Sequence, residues 1–427
     1  MDPERRVIED GAVAIASGKI AAIGPRSELE KRFQPRRRLS RPDSLIAPGL
    51  INTHTHAPMS LLRGIADDLA LQEWLEKFIF PAEARNVTPD FVRWGARLAA
   101  LEMLQSGTTT FTDMYYFEEL IAETAKEAGI RGVLGQTIIG FPVPDAKTPA
   151  LGLQRAEAFL KRFANDPLIT PAVAPHAIYT TPDDVLRACR KLANQYNSPL
   201  LIHLSETRRE NEDSVKTRST SPTRALDALG LWHGRSIAAH AVWVDDEDIA
   251  ILKERGVGVA HCPSSNMKLA SGIAPVTKML AAGVNLGLGP DGPAGSNNDF
   301  DMFEEIDLAA KLQKVSTHDP RALPAAEAFA MATIGGAHAL GLDASIGSLE
   351  PGKLADLIVV NLASARAAPM FNVYSHLAYA LKGSDVTDVF VQGRPVIANR
   401  RPLTLDEALI LRKTQEYRDK ILASLKQ

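Results

Sequence analysis

The stretch PGLINTHTHAPMS, residues 48–60, carries two histidines two positions apart at the end of an apolar run. In an extended strand, side chains at i and i+2 point to the same side, so the imidazoles of His54 and His56 can reach one ion together. Barrel enzymes build their active sites at this end of their strands. A bare HxH pair is weak evidence, because two surface histidines at a strand end have the same pattern.

Further apolar runs alternate with longer amphipathic stretches through the central part of the chain. The predicted strands are 49–53, 108–113, 132–139, 169–174, 200–203, 237–240, 256–261 and 284–288. Eight strands with intervening helices predict an α/β fold, a (β/α)8 barrel of the TIM type over 46–351. One connecting helix is especially clear: Thr88 can cap it, Pro89 occupies its first position, and Gly107 ends it.

The two ends of the chain look different from the centre. Residues 1–45 and 352–400 are rich in short apolar runs separated by turn residues such as Gly18 and Gly393, which predicts strands. Both ends can therefore meet in one small sheet domain. The last stretch, 401–427, is predicted to be a terminal helix.

Three more polar residues fall at predicted strand ends and strengthen the metal hypothesis. His203 and His240 each end an apolar run, and Asp291 follows the last one. Each could instead be a polar residue at the core edge with a satisfied hydrogen bond. That alternative does not explain why all five residues, including His54 and His56, fall at strand ends. A barrel brings its strand ends together, so these side chains can share one site. Nitrogen and carboxylate ligands suit zinc, and also iron or manganese.

Further residues are candidates for catalysis or substrate contact. Glu206 follows His203 by three positions, which favours a general acid/base over a solvated loop carboxylate. His176 closes the fourth strand and is a candidate substrate contact. His261 also ends a strand, and a pocket role and a structural role are equally favoured there.

Residues 57–88 are too long for an ordinary strand-to-helix connection, which predicts a lid or a pocket wall. Glu83, placed in this long loop, and Trp74 are its candidate substrate contacts, although a loop glutamate is more often only solvated.

Composition excludes several function classes. The 427 residues carry a net charge of −3, with no basic excess for nucleic acid. Neither a signal peptide nor an apolar stretch of about 18 residues is found, so no membrane partner is expected. Two cysteines far apart fit a reducing cytoplasm. A P-loop, a GxSxG elbow and the cytidine-deaminase zinc signature are all missing. The fourth strand does not end in lysine, which favours one metal ion over two.

Motifs along nearly the whole chain resemble the amidohydrolase superfamily, and most closely its 5-methylthioadenosine/S-adenosylhomocysteine deaminase group with chlorohydrolase-like relatives. The matching stretches are PGLINTHTHAPMSLLRGIADD, LQEWLEKFIFPAE, LEMLQSGTTTFTDM, PHAIYT, IHLSET, AAHAVW, HCPSSNMKLASGIAPV, PDGPAGSNNDFDMFEE and PGKLADLIVV. The resemblance implies a barrel with a small β-sandwich built from both chain ends. It also implies a homo-oligomer, dimer or tetramer, that deaminates an adenosine-type nucleoside (5′-methylthioadenosine, S-adenosylhomocysteine or adenosine) to the inosine-type product and ammonia.

The resemblance also implies roles for single residues. One Zn²⁺ per subunit, with Fe²⁺ or Mn²⁺ as alternatives, would be held by four ligands: His54, His56, His203 and Asp291. Glu206 would move protons to the ring nitrogen, with Asp291 taking the water proton and His240 polarising the attacking water. Glu83 would hold ribose hydroxyls, and His176 would contact the substrate.

The chain departs from the group at three places, one of them Pro290, which precedes Asp291 where threonine is common. Group members have a strand before the segment that Met1 begins, so we expect either a truncated start or a sandwich one strand short. Where they carry an arginine after the third strand, this chain has Gln136, and Arg155 is the one arginine near a second such position. Guanine-type deaminases and triazine-type chlorohydrolases remain alternatives on the same frame, and a catalytically silent barrel scaffold is the alternative from another class.

Overall fold

A closed barrel of eight parallel strands forms the centre of the molecule in a computed structural model that describes residues 1–425. The strands are β1 (Gly11–Ala16), β2 (Lys19–Pro25), β3 (Ser44–Pro48), β4 (Leu50–Thr55), β5 (Thr108–Tyr115), β6 (Arg131–Ile138), β7 (Ile169–Pro175), β8 (Leu200–Leu204), β9 (Ser236–His240), β10 (Gly258–His261), β11 (Asn285–Leu288), β12 (Leu357–Asn361), β13 (Val386–Val391), β14 (Arg394–Ala398) and β15 (Arg401–Pro402). Around the barrel, β4 to β10 follow in chain order, and β11 closes the circle between β10 and β4.

The eight predicted barrel strands are confirmed, with ends that differ by no more than two residues. Helices cover the outside of such a barrel and side chains fill its inside, so its strands are buried on both faces and read as continuous apolar runs. Strands β5 and β6 are buried at every position. Their sequences, TTTFTDMY and RGVLGQTI, nevertheless place polar residues at several of these buried positions.

Helices connect the strands and pack around the barrel. They are α1 (Arg26–Arg32), α2 (Leu71–Glu73), α3 (Phe80–Asn86), α4 (Pro89–Gln105), α5 (Glu118–Ala128), α6 (Pro149–Phe163), α7 (Asp183–Gln195), α8 (Arg208–Arg218), α9 (Pro222–Ala228), α10 (Asp246–Glu254), α11 (Pro263–Lys268), α12 (Val276–Ala282), α13 (Met302–Thr317), α14 (Ala325–Met331), α15 (Ile334–Leu340), α16 (Val373–Ser375) and α17 (Glu407–Leu425). Helix α4 begins as predicted, because Thr88 Oγ1 accepts a hydrogen bond from the Phe91 amide at 3.2 Å.

The long connection after β4 is mostly helical. It contains a 3-10 helix (Ala57–Leu62), α2, a π-helix (Trp74–Ile79) and α3. The sequence-based placement of Glu83 in a loop is therefore wrong: it lies in the first turn of α3, where Pro81 is tolerated because early helix positions have no intrahelical partner for its missing N–H. The same segment forms one wall of the central cavity.

Both ends of the chain contribute to two small sheets. Strand β3 pairs with β12 in an antiparallel sheet ordered β15-β14-β13-β12-β3, and β1 and β2 form a separate hairpin. Ile20 and Leu357, one from each sheet, share a buried apolar cluster, which gives the expected sandwich of both ends.

The terminal helix begins at Glu407 rather than at 401, because Arg401 and Pro402 pair with β14. Residues 426–427 of that predicted segment lie outside the described residues. No helix within residues 1–425 combines the length and the apolar character that a membrane span requires.

Candidate active site

Imidazoles and a carboxylate from distant strands meet at the C-terminal end of the barrel. His54 Nε2 and His56 Nε2 lie 3.3 and 3.4 Å from Asp291 Oδ1, and His203 Nε2 lies 3.3 Å from His56 Nε2. His54 is on β4 and His56 directly follows it, whereas His203 is on β8. Asp291 follows β11, which pairs with β4 in the barrel. The four predicted ligands are therefore brought together.

Hydrogen bonds orient two of these histidines with a lone pair toward the centre of the group. Nδ1 of His56 donates to the Met114 carbonyl and Nδ1 of His203 donates to the His176 carbonyl, both at 2.7 Å. Each Nε2 is thereby left as an acceptor. This arrangement, with the outer nitrogen fixed by a carbonyl, is typical of metal-ligating histidines.

The donor atoms fit a single divalent ion. His54 Nε2 is buried without a hydrogen-bond partner, and the Nε2 lone pairs of His56 and His203 face each other with no proton between them. A cation between these nitrogens would give His54 Nε2 a partner and would remove the repulsion between the lone pairs of His56 and His203. Ligands at about 2.0–2.1 Å in a tetrahedron stand about 3.3–3.4 Å apart, which matches the observed separations. Burial lowers the pKa of His54 to about 4 and lowers that of His56, so both imidazoles are neutral ligands at pH 7.

Asp291 is held firmly at its position. Ser265 Oγ donates to Oδ2 and the Gly292 amide donates to Oδ1, both at 2.7 Å. Burial acts to raise the pKa of Asp291, but the surrounding imidazoles, His54 foremost, outweigh it and keep that pKa well below its usual range. The Asp291 backbone adopts φ +65°, an unfavourable value for a residue other than glycine that is common at functional sites.

His240 lies beside this group at the end of β9. Its Nδ1 donates to Asn266 Oδ1 at 3.0 Å, so its Nε2 is free to accept. That Nε2 lies 3.7 Å from Glu206 Oε2, and it also lies close enough to His54 and His203 to share an ion with them. His240 has φ +74°, a second strained backbone position in the site.

Glu206 is a buried carboxyl group on the wall of the cavity. Its own backbone amide and that of Ser205 donate to the two carboxylate oxygens of Glu210, at 2.8 and 3.0 Å, which fixes the turn after β8. Burial, with a smaller contribution from the charge of Asp291, raises the pKa of Glu206 well above its usual range. A carboxyl group of this kind keeps its proton to higher pH than an exposed glutamate does, which suits a proton donor.

A second buried carboxyl group faces the cavity from α3. Tyr115 donates to Glu83 Oε1 at 2.5 Å, and Tyr116 lies 3.4 Å from Oε2. Burial raises the pKa of Glu83 to about 7, although both tyrosine hydroxyls act to lower it. Each carboxylate oxygen keeps one further lone pair for a ligand hydroxyl.

The cavity and its open mouth together enclose about 570 Å³ of empty space. Eight of the nine predicted site residues line it, all but His54: His56, Trp74, Glu83, His176, His203, Glu206, His240 and Asp291. The Trp74 indole donates to the Ala294 carbonyl at 2.8 Å, which fixes the ring in the wall. Nδ1 of His176 pairs with the Thr180 hydroxyl at 2.9 Å, and burial lowers the pKa of His176 to about 3.

His261 is fully buried and is not among the cavity-lining residues, so the structure gives no support to a direct pocket role. Sequence reasoning missed Asn266 and Ser265, which orient His240 and Asp291. It also missed Tyr115 and Tyr116. A signal for the first two was present, because CPSSN directly follows a predicted strand end, but serine and asparagine are not usual metal ligands and were not singled out.

Comparisons with known proteins agree with this geometry. A model of the Amidohydrolase family matches residues 45–396. The 5-methylthioadenosine/S-adenosylhomocysteine deaminase 1 of Syntrophus aciditrophicus is 46% identical over 427 residues, covering 100% of this chain and 96% of its own. The 5-methylthioadenosine/S-adenosylhomocysteine deaminase of Syntrophobacter fumaroxidans is 48% identical over 406 residues, covering 95% and 92%.

A solved structure with a similar fold is described as an adenosine deaminase from Xanthomonas campestris with bound zinc. It superposes with a TM-score of 0.96 at 43% identity, covering 98% of this chain and 95% of that one. The family match spans most of the chain, and the relatives exceed 40% identity over nearly all of it. The chain therefore belongs to the amidohydrolase family.

Proposed function

We propose that this protein is a zinc-dependent aminohydrolase that converts an adenosine-type nucleoside to the inosine-type product and ammonia. The proposal depends mainly on one observation: the four candidate metal ligands converge beside the buried carboxyl group of Glu206. The names of the similar proteins, deaminases of methylthioadenosine, S-adenosylhomocysteine and adenosine, support the same reaction.

Four side chains would hold the ion: His54, His56, His203 and Asp291. When bound, a divalent ion supplies Lewis-acid activation that lowers the pKa of a water molecule toward about 7. Its ligands come from β4, from β8 and from the turns that follow β4 and β11, so the barrel itself fixes their spacing.

Two side chains would carry the proton transfers, and a third would orient the water. Asp291 accepts the proton that water loses as its oxygen bonds to the ring carbon bearing the amino group. Glu206 donates a proton to the adjacent ring nitrogen, which makes that carbon more electrophilic. His240, whose Nε2 is an acceptor, orients and polarises the attacking water. Asp291 then returns its proton to the amino group, which leaves as ammonia, and the new hydroxyl gives its proton to Glu206 as the ring carbonyl forms.

The opposite wall would bind the sugar. With one tyrosine on each oxygen, Glu83 can accept from two neighbouring ribose hydroxyls at once. His176 and Trp74 would contact the base and close the pocket around it. A free base such as guanine, or a triazine, has no hydroxyl pair for Glu83, and this favours the nucleoside over both alternatives.

Ammonia release by the zinc-loaded protein tests the proposal. The substrates are methylthioadenosine, S-adenosylhomocysteine, adenosine and guanine, with chloride release from a chlorotriazine measured in parallel. We expect at least one adenosine-type nucleoside to be deaminated with a kcat/KM far above that of guanine or the triazine. Turnover of guanine or the triazine alone contradicts the substrate class, and no turnover with no bound ion would indicate the silent scaffold. The homo-oligomer, the cytoplasmic location and the domain boundaries at 45/46 and 351/352 stay predictions.

A further inference from the structure

The cavity has no positive side chain to meet an anion. Among the residues within 1–425 that line it, none is lysine or arginine, and the acidic residues Glu83, Glu206 and Asp291 all face it. A ligand carboxylate entering this space would lose its hydration without gaining an ion pair. Burying an unpaired charge in this way is costly.

The arginine nearest in sequence to the cavity wall of β6 is committed elsewhere. Arg155 Nη2 lies 2.8 Å from Glu119, its Nε lies 3.3 Å from Asp145, and its guanidinium packs over the Phe117 ring at 5.2 Å. Asp145 also accepts from Gln136 at 2.8 Å. Moving Arg155 toward the cavity would leave the buried Asp145 carboxylate without its counter-charge.

The strand register keeps position 136 out of the cavity as well. Side chains alternate between the two faces of a strand, and it is Thr137 of β6 that lines the cavity. Gln136 therefore points to the other face, where Asp145 fixes it. Lys77, in the π-helix of the cavity wall, is exposed and pairs with Glu73 at 2.9 Å. It therefore does not supply a positive charge to the cavity either.

The part of the wall nearest to Glu83 is apolar. Ile79 and Phe80 precede Glu83 by four and three positions in a continuous helical segment, which places all three on one face. Leu75 continues this stripe by another turn, and all of these residues line the cavity. A nucleoside held by its ribose hydroxyls at Glu83 would place its 5′ substituent close to this stripe.

We infer that the cavity selects adenosine-type nucleosides with an uncharged, apolar 5′ substituent and discriminates against one that ends in a charged amino acid. This inference rests on the proposed function. It deepens that function by separating methylthioadenosine, whose 5′ group is a methyl thioether, from S-adenosylhomocysteine, whose 5′ thioether carries an ammonium and a carboxylate.

The test compares three 5′ thioethers on the zinc-loaded enzyme: 5′-methylthioadenosine, 5′-butylthioadenosine and S-adenosylhomocysteine. The butyl chain is the control for length without charge. We expect kcat/KM for S-adenosylhomocysteine to be lower than for both neutral thioethers by about tenfold or more. Calorimetric titration of metal-free protein should give the same order of Kd, which provides a readout independent of turnover.

Two results would overturn the inference. Either kcat/KM for S-adenosylhomocysteine lies within about tenfold of the methylthio value, or the butylthio compound is as poor as S-adenosylhomocysteine, which assigns the selection to length. Both leave the proposed function standing, because methylthioadenosine is still deaminated. Failure of all three nucleosides and of adenosine contradicts the proposed function instead.

Discussion

Replacing Tyr115 with phenylalanine removes one hydroxyl group from the sugar-binding wall and leaves the ring in place. That hydroxyl donates to Glu83 Oε1 at 2.5 Å, and both groups are buried. A hydrogen bond to a charged group contributes about 1.5–3 kcal/mol. Since one pH unit corresponds to about 1.4 kcal/mol, the loss should raise the pKa of Glu83 and move its titration upward by roughly 1 to 2 pH units.

The sign of the pH effect follows from the raised pKa of about 7. Below that pH the Glu83 carboxyl is protonated and loses acceptor capacity, so KM for methylthioadenosine should rise as the pH falls through 7. In Tyr115→Phe, KM should already rise as the pH falls through the alkaline range. Because the Tyr115 hydroxyl bonds to Glu83 and the ring stays in place beside His56, kcat at saturating substrate should change less than KM. Steady-state kinetics from pH 5.5 to 9.5 measure both.

Tyr116→Phe is the matched control. Its hydroxyl lies 3.4 Å from the other oxygen of Glu83, a weaker contact, so its KM profile should move less than that of Tyr115→Phe. A 2′,3′-dideoxy nucleoside, which offers Glu83 no hydroxyl pair, should show little difference among the three proteins. Equal shifts for both tyrosine variants, or an unchanged KM profile in Tyr115→Phe, would refute the reasoning.

Three further variants test other parts of the account. Glu206→Gln should lower kcat by about 10²–10⁴-fold with the metal content unchanged, because a proton donor is lost but no ligand, and near-normal turnover would show that Glu206 has another role. Ser265→Ala removes a hydrogen bond to Asp291 and should weaken zinc binding, measured by chelator competition, by about 10–100-fold. An unchanged zinc affinity would mean that Ser265 does not position Asp291. Thr88→Ala removes the cap on the Phe91 amide and should lower the free energy of unfolding in urea by about 1 kcal/mol, and no loss of stability would contradict the cap.

The barrel and its ligand set could be predicted because both leave signals at fixed positions in the sequence. Strands such as β8 (LLIHL) and β9 (SIAAH) are mostly apolar, and a histidine near the end of such a run is easily noticed. His203 and Asp291 lie far apart in the chain, yet the closed barrel brings their strand ends together. Knowledge of the fold class alone was enough to expect their meeting.

The residues that support the ligands could not be predicted in the same way. Asn266 is one polar residue among several in a short segment, and only the turn after β10 shows that its side chain reaches His240. The partnership of Glu83 with Tyr115 joins α3 to the end of β5 across 32 positions. Such contacts depend on how the connections fold over the barrel, which hydrophobic periodicity does not describe.

The helices within residues 57–88 also could not be predicted from hydrophobic periodicity. A 3-10 helix, a short α-helix, a π-helix and α3 follow one another there, and none is long enough to show a clear period. Their form depends on packing against the cavity, as the Trp74 hydrogen bond to the Ala294 carbonyl illustrates. Length alone correctly indicated a pocket wall.

Zinc titration of metal-stripped protein, followed by metal analysis and ammonia release, tests the central claim most directly. The account predicts that deaminase activity rises in proportion to bound zinc and saturates at one ion per chain, and that His56→Ala and His203→Ala each lose the tight site. Full activity without bound metal would contradict it, and so would unchanged stoichiometric zinc binding in both histidine variants.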